Sequence, residues 1–208
     1  MVRAILSGSK TQTRRVAKLN DSGRVRLAGS NRNWHPDDPN ADKACPYGVP
    51  GDRLWGRETF VLEETGTEYE ARRPTDGRPW KECEDGTILI PHYRATDAEP
   101  HIVPWDRIDG DDDRTRWTPS IFMPRWASRI TLEVASVRLE RLHAITEDDA
   151  RAEGFPSPPG ANVNYPDRAR YWFQSLWESI NGAGSWAKNP RVWVVEFKRL
   201  DGKLEASK

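Results

Sequence analysis

Near the start of the chain, the run Gly8-Ser9-Lys10-Thr11-Gln12-Thr13-Arg14-Arg15 sets an amine and a hydroxyl three residues apart, beside two guanidiniums. A threonine hydroxyl is a weak nucleophile until a neighbouring base takes its proton. A lysine becomes such a base when burial or nearby cations bring its pKa down from about 10.4 toward neutrality. Arg14 and Arg15 supply nearby positive charge. The same residues equally suit a polar surface turn whose side chains satisfy backbone groups, and the residues alone leave both readings open. Geometry adds a condition. Along a straight strand, residues 10 and 13 face opposite sides. They cooperate only if Lys10 lies in the turn after Gly8 and the strand begins later.

A second candidate sits far along the chain. The segment Ile145-Thr146-Glu147-Asp148-Asp149-Ala150-Arg151-Ala152-Glu153-Gly154 reads as a short helix. Thr146 is its N-cap, Asp148 and Asp149 occupy the first turn, and Gly154 closes it. Glu153 is then the last residue before the closing glycine. A carboxylate there faces the negative end of the helix dipole, where a lysine would be more stable. It is either an exposed residue costing a few tenths of a kcal/mol, or a carboxyl kept ready to exchange a proton.

Rival chemistries are poorly represented. His35, His92, His101 and His143 have no metal-ligand spacing, and none accompanies a Ser or Cys motif. The GAGS at 182–185 lacks the strand and lysine of a phosphate loop. The acidic run at 109–113 reads as a solvated loop, without the ligand pattern of a metal site. No cofactor or metal is implied.

Composition frames what must hold these groups. The chain has 208 residues, 36% hydrophobic and 31% charged, with ten tryptophans against five phenylalanines. Aromatics must carry much of the burial, and some indoles suit the wall of a cavity for a flat ligand. The 32 basic and 32 acidic residues cancel, which disfavours a nonspecific nucleic-acid binder without a local basic patch. Cys45 and Cys83 match no metal spacing and fit reduced thiols in the cytoplasm. The start shows no signal-peptide pattern and no run reaches membrane-spanning length, so a soluble, cytoplasmic protein is expected.

The expected elements run as follows. A short helix over Val2–Leu6 ends at Gly8, and a strand follows from Thr11. Residues 17–50 read as polar loop. Residues 53–62 read as a strand with a bulge at Gly56. Residues 63–118 form an irregular insertion holding short strands at 87–90 and 92–96. A long alternating strand over about 127–142 changes phase between Val134 and Val137, which predicts a bulge or bend. A helix over 168–182 carries Tyr171, Phe173, Leu176, Trp177 and Ile180 as its apolar stripe. A final strand at 191–200 is apolar enough to be central. Short strands far apart in sequence, with few helices, predict a small mixed barrel.

Together, ILSGSKTQTRR, GDRLWGRE, ITLEVASVRLERLHAITEDDARAEG and VWVVEF resemble the ASCH domain family. The resemblance covers the start of the chain, residues 51–58 and most of 119–199. It implies an α+β fold, a PUA-like mixed β-barrel with short flanking helices and long loop insertions. That means one domain over 1–208, with insertions at about 17–50 and 61–118. Members of this family that remove the acetyl group from N4-acetylcytidine use a lysine, a threonine and a glutamate. Those motif positions fall on Lys10, Thr13 and Glu153. The implied activity is an amidohydrolase acting on N4-acylated cytosine or cytidine. Lys10 activates Thr13, and Glu153 shuttles a proton. Arg14, Arg15, Trp55 and Trp126 are expected on the pocket walls. The alternatives are a non-catalytic RNA-binding module, with Arg14, Arg15 and Arg57 on phosphate, and an ASCH-type ribonuclease. The chain departs from the family in starting at the first helix and in the length of both insertions.

Overall fold

A computed structural model describes residues 1–26, 33–65, 74–97, 117–156 and 167–200. Two compact units emerge, one from Arg3–Leu54 with Leu132–Arg199, the other from Trp55–Thr131. The class is α+β, with antiparallel pairing in the main sheet and few, short helices. Among the described residues no helix is long and apolar enough to cross a membrane.

The first unit is organised by β9 (Arg191–Arg199). Its Val-Trp-Val-Val run is β-branched and aromatic, and all four residues are buried, as the sequence leads one to expect of a central strand. It lies between β1 (Gln12–Val16) and β8 (Thr131–Arg141), and β8 is flanked in turn by β4 (Arg53–Trp55). Alternation along β9 divides the core in two. Val192 and Val194 face α2 (Glu147–Ala152) and α3 (Arg168–Asn181), packing with Leu142, Ala150, Phe173 and Trp177. Trp193 and Val195 face the other way, onto Ala17, Val25, Ala41, Ala44 and Cys45.

That second cluster corrects the reading of residues 17–50 as polar loop. The described part holds a ribbon of β2 (Val25–Arg26) and β3 (Asn33–Trp34), then a 3-10 turn at Ala41–Ala44. The buried residues are mostly small and aperiodic, so hydropathy alone does not reveal them. The apolar stripe of α3 also differs from expectation. Ala169, Phe173 and Trp177 are buried, whereas Tyr171 and Ile180 are exposed. Tyr171 lies roughly 200° around the helix axis from Phe173, and Ile180 falls in the last turn.

The expected break in β8 is present. Val134 pairs with Phe197 and Ser136 with Glu196, leaving Ala135 as a bulge. At the N-terminus, α1 (Val2–Leu6) ends as expected, with Gly8 at φ +75° releasing the chain toward β1.

In the second unit, β7 (Ile88–Tyr93) lies between β5 (Phe60–Thr65) and β6 (Lys81–Glu82). The two strands expected at 87–90 and 92–96 are this one strand, running through Pro91. Proline cannot donate to a ladder, and β6 pairs only with Ile88 and Leu89, so it stops short of Pro91. The single strand expected over 53–62 is divided into β4 and β5 by residues 56–59. Phe60, Tyr93, Met123 and Ala127 form this unit's core, with Trp55, Leu62 and Trp126 packed against it. The acidic run at 109–113 lies outside the described residues.

Gly56 has a packing role within this unit. A Cβ there would sit 2.9 Å from both Cβ and Cγ2 of Ile130. The stem of a β-branched side chain cannot swing away, and Gly56 is also bonded through its N–H to the Ile130 carbonyl. Gly56→Ala is therefore expected to cost about 1–3 kcal/mol, the usual penalty of overpacking. Urea unfolding of the two proteins measures it; equal midpoints would contradict the close approach.

Candidate active site

The strand of the opening motif begins at Gln12, so Lys10 lies in the turn that precedes it. This is the condition that sequence geometry imposed. Lys10 forms an isolated antiparallel bridge with Glu153, and the Thr11 N–H donates to the Ala152 carbonyl at 2.9 Å. Two segments 143 residues apart are thereby zipped together by backbone pairing. The Lys10 ammonium donates to Glu153 Oε2 at 2.8 Å, to the Glu153 carbonyl at 2.9 Å and to the Gln12 carbonyl at 2.8 Å. The Glu153 carbonyl is one of those a helix leaves unpaired at its C-terminal end, so the lysine caps α2 from a remote strand. Both residues are 5% exposed.

Gly154 allows this approach. It adopts φ +94°, and a Cβ there would lie 3.1 Å from Lys10 Cβ and 3.2 Å from Ala4 Cβ. A left-handed conformation and tight contact on two sides leave glycine as the residue that fits.

Burial pushes the Lys10 amine below its ordinary pKa. The Glu153 charge and hydrogen bond work the other way, and Arg15 and Arg14 add to the lowering. Desolvation wins. The sign for stability follows directly. Between its lowered pKa and about 10.4, the unfolded chain holds a proton that the folded one has released. The lysine's contribution to stability therefore rises with pH through that window.

Arg14 extends the pair into a network. Its side chain is 0% exposed. Nη1 lies 3.3 Å from Glu153 Oε1, and Nη2 lies 2.8 Å from Glu140 Oε1 and 3.2 Å from Asp149 Oδ2. The guanidinium also sits 5.8 Å from the Phe173 ring centroid. Beyond it, Arg138 binds Asp149 Oδ1 at 2.7 Å, Glu140 at 3.1 Å, and Glu196. Arg14 was expected on a pocket wall; here it is enclosed, and it organises carboxylates. Each carboxylate of the network is committed to a cation, and among the described residues no group of three or more His, Cys, Asp or Glu is arranged to hold a metal ion.

Thr13 lies elsewhere on the strand. It pairs with Val195 and Arg14 with Val194. Cross-strand partners share a face, so Thr13 shares that of Val195, while Gln12 and Arg14 share the face of α2 and α3. The Thr13 hydroxyl is not among the three acceptors of the Lys10 amine, although the Gln12 carbonyl immediately preceding Thr13 is. Arg15 is exposed. Trp55 and Trp126 belong to the second unit, where both are half-buried; the guanidiniums of Arg57 and Arg125 lie 4.6 and 5.8 Å from the Trp55 ring. A hollow of about 360 Å³ in the first unit is lined by Thr11, Gln12, Ala135, Asp149, Ala152 and Glu196. It adjoins the chain neighbours of both Lys10 and Glu153, and the Ala135 bulge forms part of its wall.

Sequence reading missed Arg138, Glu140 and Glu196. Their alternation with Val137, Leu139 and Val195 was visible, but a charged strand face ordinarily meets solvent. Asp149 was read as a helix-cap residue, which it is: it completes a capping box with Thr146. It also bridges Arg14 and Arg138.

The chain matches no protein-family model, no curated protein and no solved structure.

Two expectations test this geometry. Glu153→Ala leaves a buried ammonium without its carboxylate and should cost about 3–5 kcal/mol. Lys10→Met leaves Glu153 still paired with Arg14, so its loss should be clearly smaller; urea unfolding at neutral pH that gave equal losses would refute the asymmetric sharing of Glu153. Burial works to raise the Asp149 carboxyl, but its bonds with Thr146, the charge of Arg14 and the Gln12 amide outweigh it, bringing the group to about 2. That stability is present above about pH 4 and is lost as pH falls toward the folded value. Asp149→Ala should flatten the acid limb of a stability profile between roughly pH 4 and 2, measured by chemical denaturation across that range.

Proposed function

We propose that this chain is an amidohydrolase that removes the acyl group from N4-acylated cytosine or cytidine, on a PUA-like barrel of the ASCH type. One observation carries the reading: a lysine whose amine burial drives toward neutrality, paired at 2.8 Å with a glutamate from the far end of the chain. Composition and strand pattern demand no such pair. Keeping it buried costs desolvation energy, and a buried amine of lowered pKa is suited to accept a proton.

In the proposed reaction, neutral Lys10 takes the proton of Thr13 as the hydroxyl oxygen attacks the acyl carbonyl carbon. For that transfer the neutral amine gives up its hydrogen bond to the Gln12 carbonyl and accepts one from the hydroxyl one residue on. The carbon–nitrogen bond breaks, and the exocyclic nitrogen leaves with a proton passed through Glu153. Water then attacks the threonine ester, the acyl group leaves as its carboxylic acid, and the Thr13 oxygen regains a proton.

The second reading is a non-catalytic RNA-binding module. It draws on the exposure of Arg15 and Arg57, whereas the Arg14 side chain is fully enclosed and out of reach of a phosphate.

The test is incubation of the purified protein with N4-acetylcytidine while released cytidine is followed. Thr13→Ala and Lys10→Ala should each reduce turnover by at least about 10³-fold with the fold intact. The rate should rise with pH along a limb lying below the ordinary lysine range. Unchanged rates in those variants would remove the mechanism. No turnover, accompanied by RNA binding that weakens steeply with salt, would favour the second reading.

A further inference from the structure

We propose that Arg14 is a positioning residue that biases the Lys10 amine toward its neutral form, by holding one oxygen of Glu153 and leaving Lys10 only the other. The role rests on the amidohydrolase reading for its use in turnover, but not for its geometry.

Glu153 divides its carboxylate. Oε2 takes the lysine ammonium at 2.8 Å and Oε1 takes Arg14 at 3.3 Å. A carboxylate shared in this way stabilises the ammonium less than one devoted to it. Arg14 also places a positive charge beside the amine, which works against the ammonium. Both effects favour the neutral amine.

The other charged groups around Lys10 are few. Glu153 comes from α2, Arg14 and Arg15 from β1, while α1 brings Ala4 and its carbonyl. Glu140 of β8 and Asp149 of α2 bind Arg14 itself. They share the guanidinium with Glu153, and it lies 5.8 Å from the Phe173 ring centroid. A guanidinium fork can join carboxylates from two elements at once; an ammonium at the same place lacks that planar reach. Nε of Arg14 finds no partner among the described residues, an expense that packing alone would not require.

The experiment is NMR titration of protein carrying isotope-labelled lysine, with the Lys10 signal assigned through Lys10→Arg. Arg14→Met should raise the Lys10 midpoint, and Arg14→Lys should raise it by less. With N4-acetylcytidine as substrate, the ascending limb of the rate profile should move up by the same interval, about a tenfold loss per unit below the limb. A merely structural role would instead lower rates equally at every pH and leave the midpoint in place. If Arg14→Met does not fold, Arg14→Lys decides alone. A midpoint equal to that of the unsubstituted protein in the folded variant overturns the proposal. If the unsubstituted protein hydrolyses nothing while the midpoints move as stated, the amidohydrolase reading fails and the role of Arg14 stands.

Discussion

The buried contact between Lys10 and Glu153 is the constraint on which the first unit's polar network, and the chemistry proposed for it, depend. Two ions out of water are costly unless every remaining charge and lone pair is met. Here the surroundings meet most of them, with Arg14 Nε left without a partner among the described residues. The lysine's three hydrogens find a carboxylate and two carbonyls. The second carboxylate oxygen finds Arg14, and the guanidinium finds Glu140 and Asp149. The backbone bridge between the two segments and the left-handed Gly154 bring the partners close enough for this to happen. Removing Glu153 strands the buried ammonium, whereas removing Lys10 leaves Glu153 on Arg14.

The sheet explains why the network forms on one side only. Antiparallel pairing places Gln12, Arg14, Arg138, Glu140 and Glu196 on the face that meets the helices, with Val192 and Val194 between them. The opposite face carries Val137, Leu139, Trp193 and Val195 into an apolar cluster. Thr13 belongs to that second face. The reaction proposed here therefore works across the edge of β1, where the Gln12 carbonyl receives the lysine and the next residue offers the hydroxyl. The bulge at Ala135 shifts the register of β8 beside Glu196 and helps to shape the hollow next to the pair.

Part of this was legible without coordinates. The capping threonine and acidic first turn announced α2, the glycines announced the ends of α1 and α2, and the phase slip announced the bulge. These are local effects, decided by a few neighbouring residues. The core contribution of residues 17–50 was not legible, because scattered small residues produce no periodic signal. The division between β4 and β5 falls at residues 56–59, where Gly56 packs closely on Ile130, far away in sequence, a contact that no local pattern encodes.

The sequence by itself determined which groups are available: one lysine in a turn after a glycine, a hydroxyl three residues on, and a glutamate at a helix end where its charge is unwelcome. Only the tertiary structure decided that the lysine and glutamate meet, that the threonine takes the other face, and that Arg14 is enclosed as a bridge between carboxylates. The reason is physical. Backbone periodicity fixes which side of a strand a residue occupies, but which element covers that side, and whether water remains there, follows from packing between distant segments.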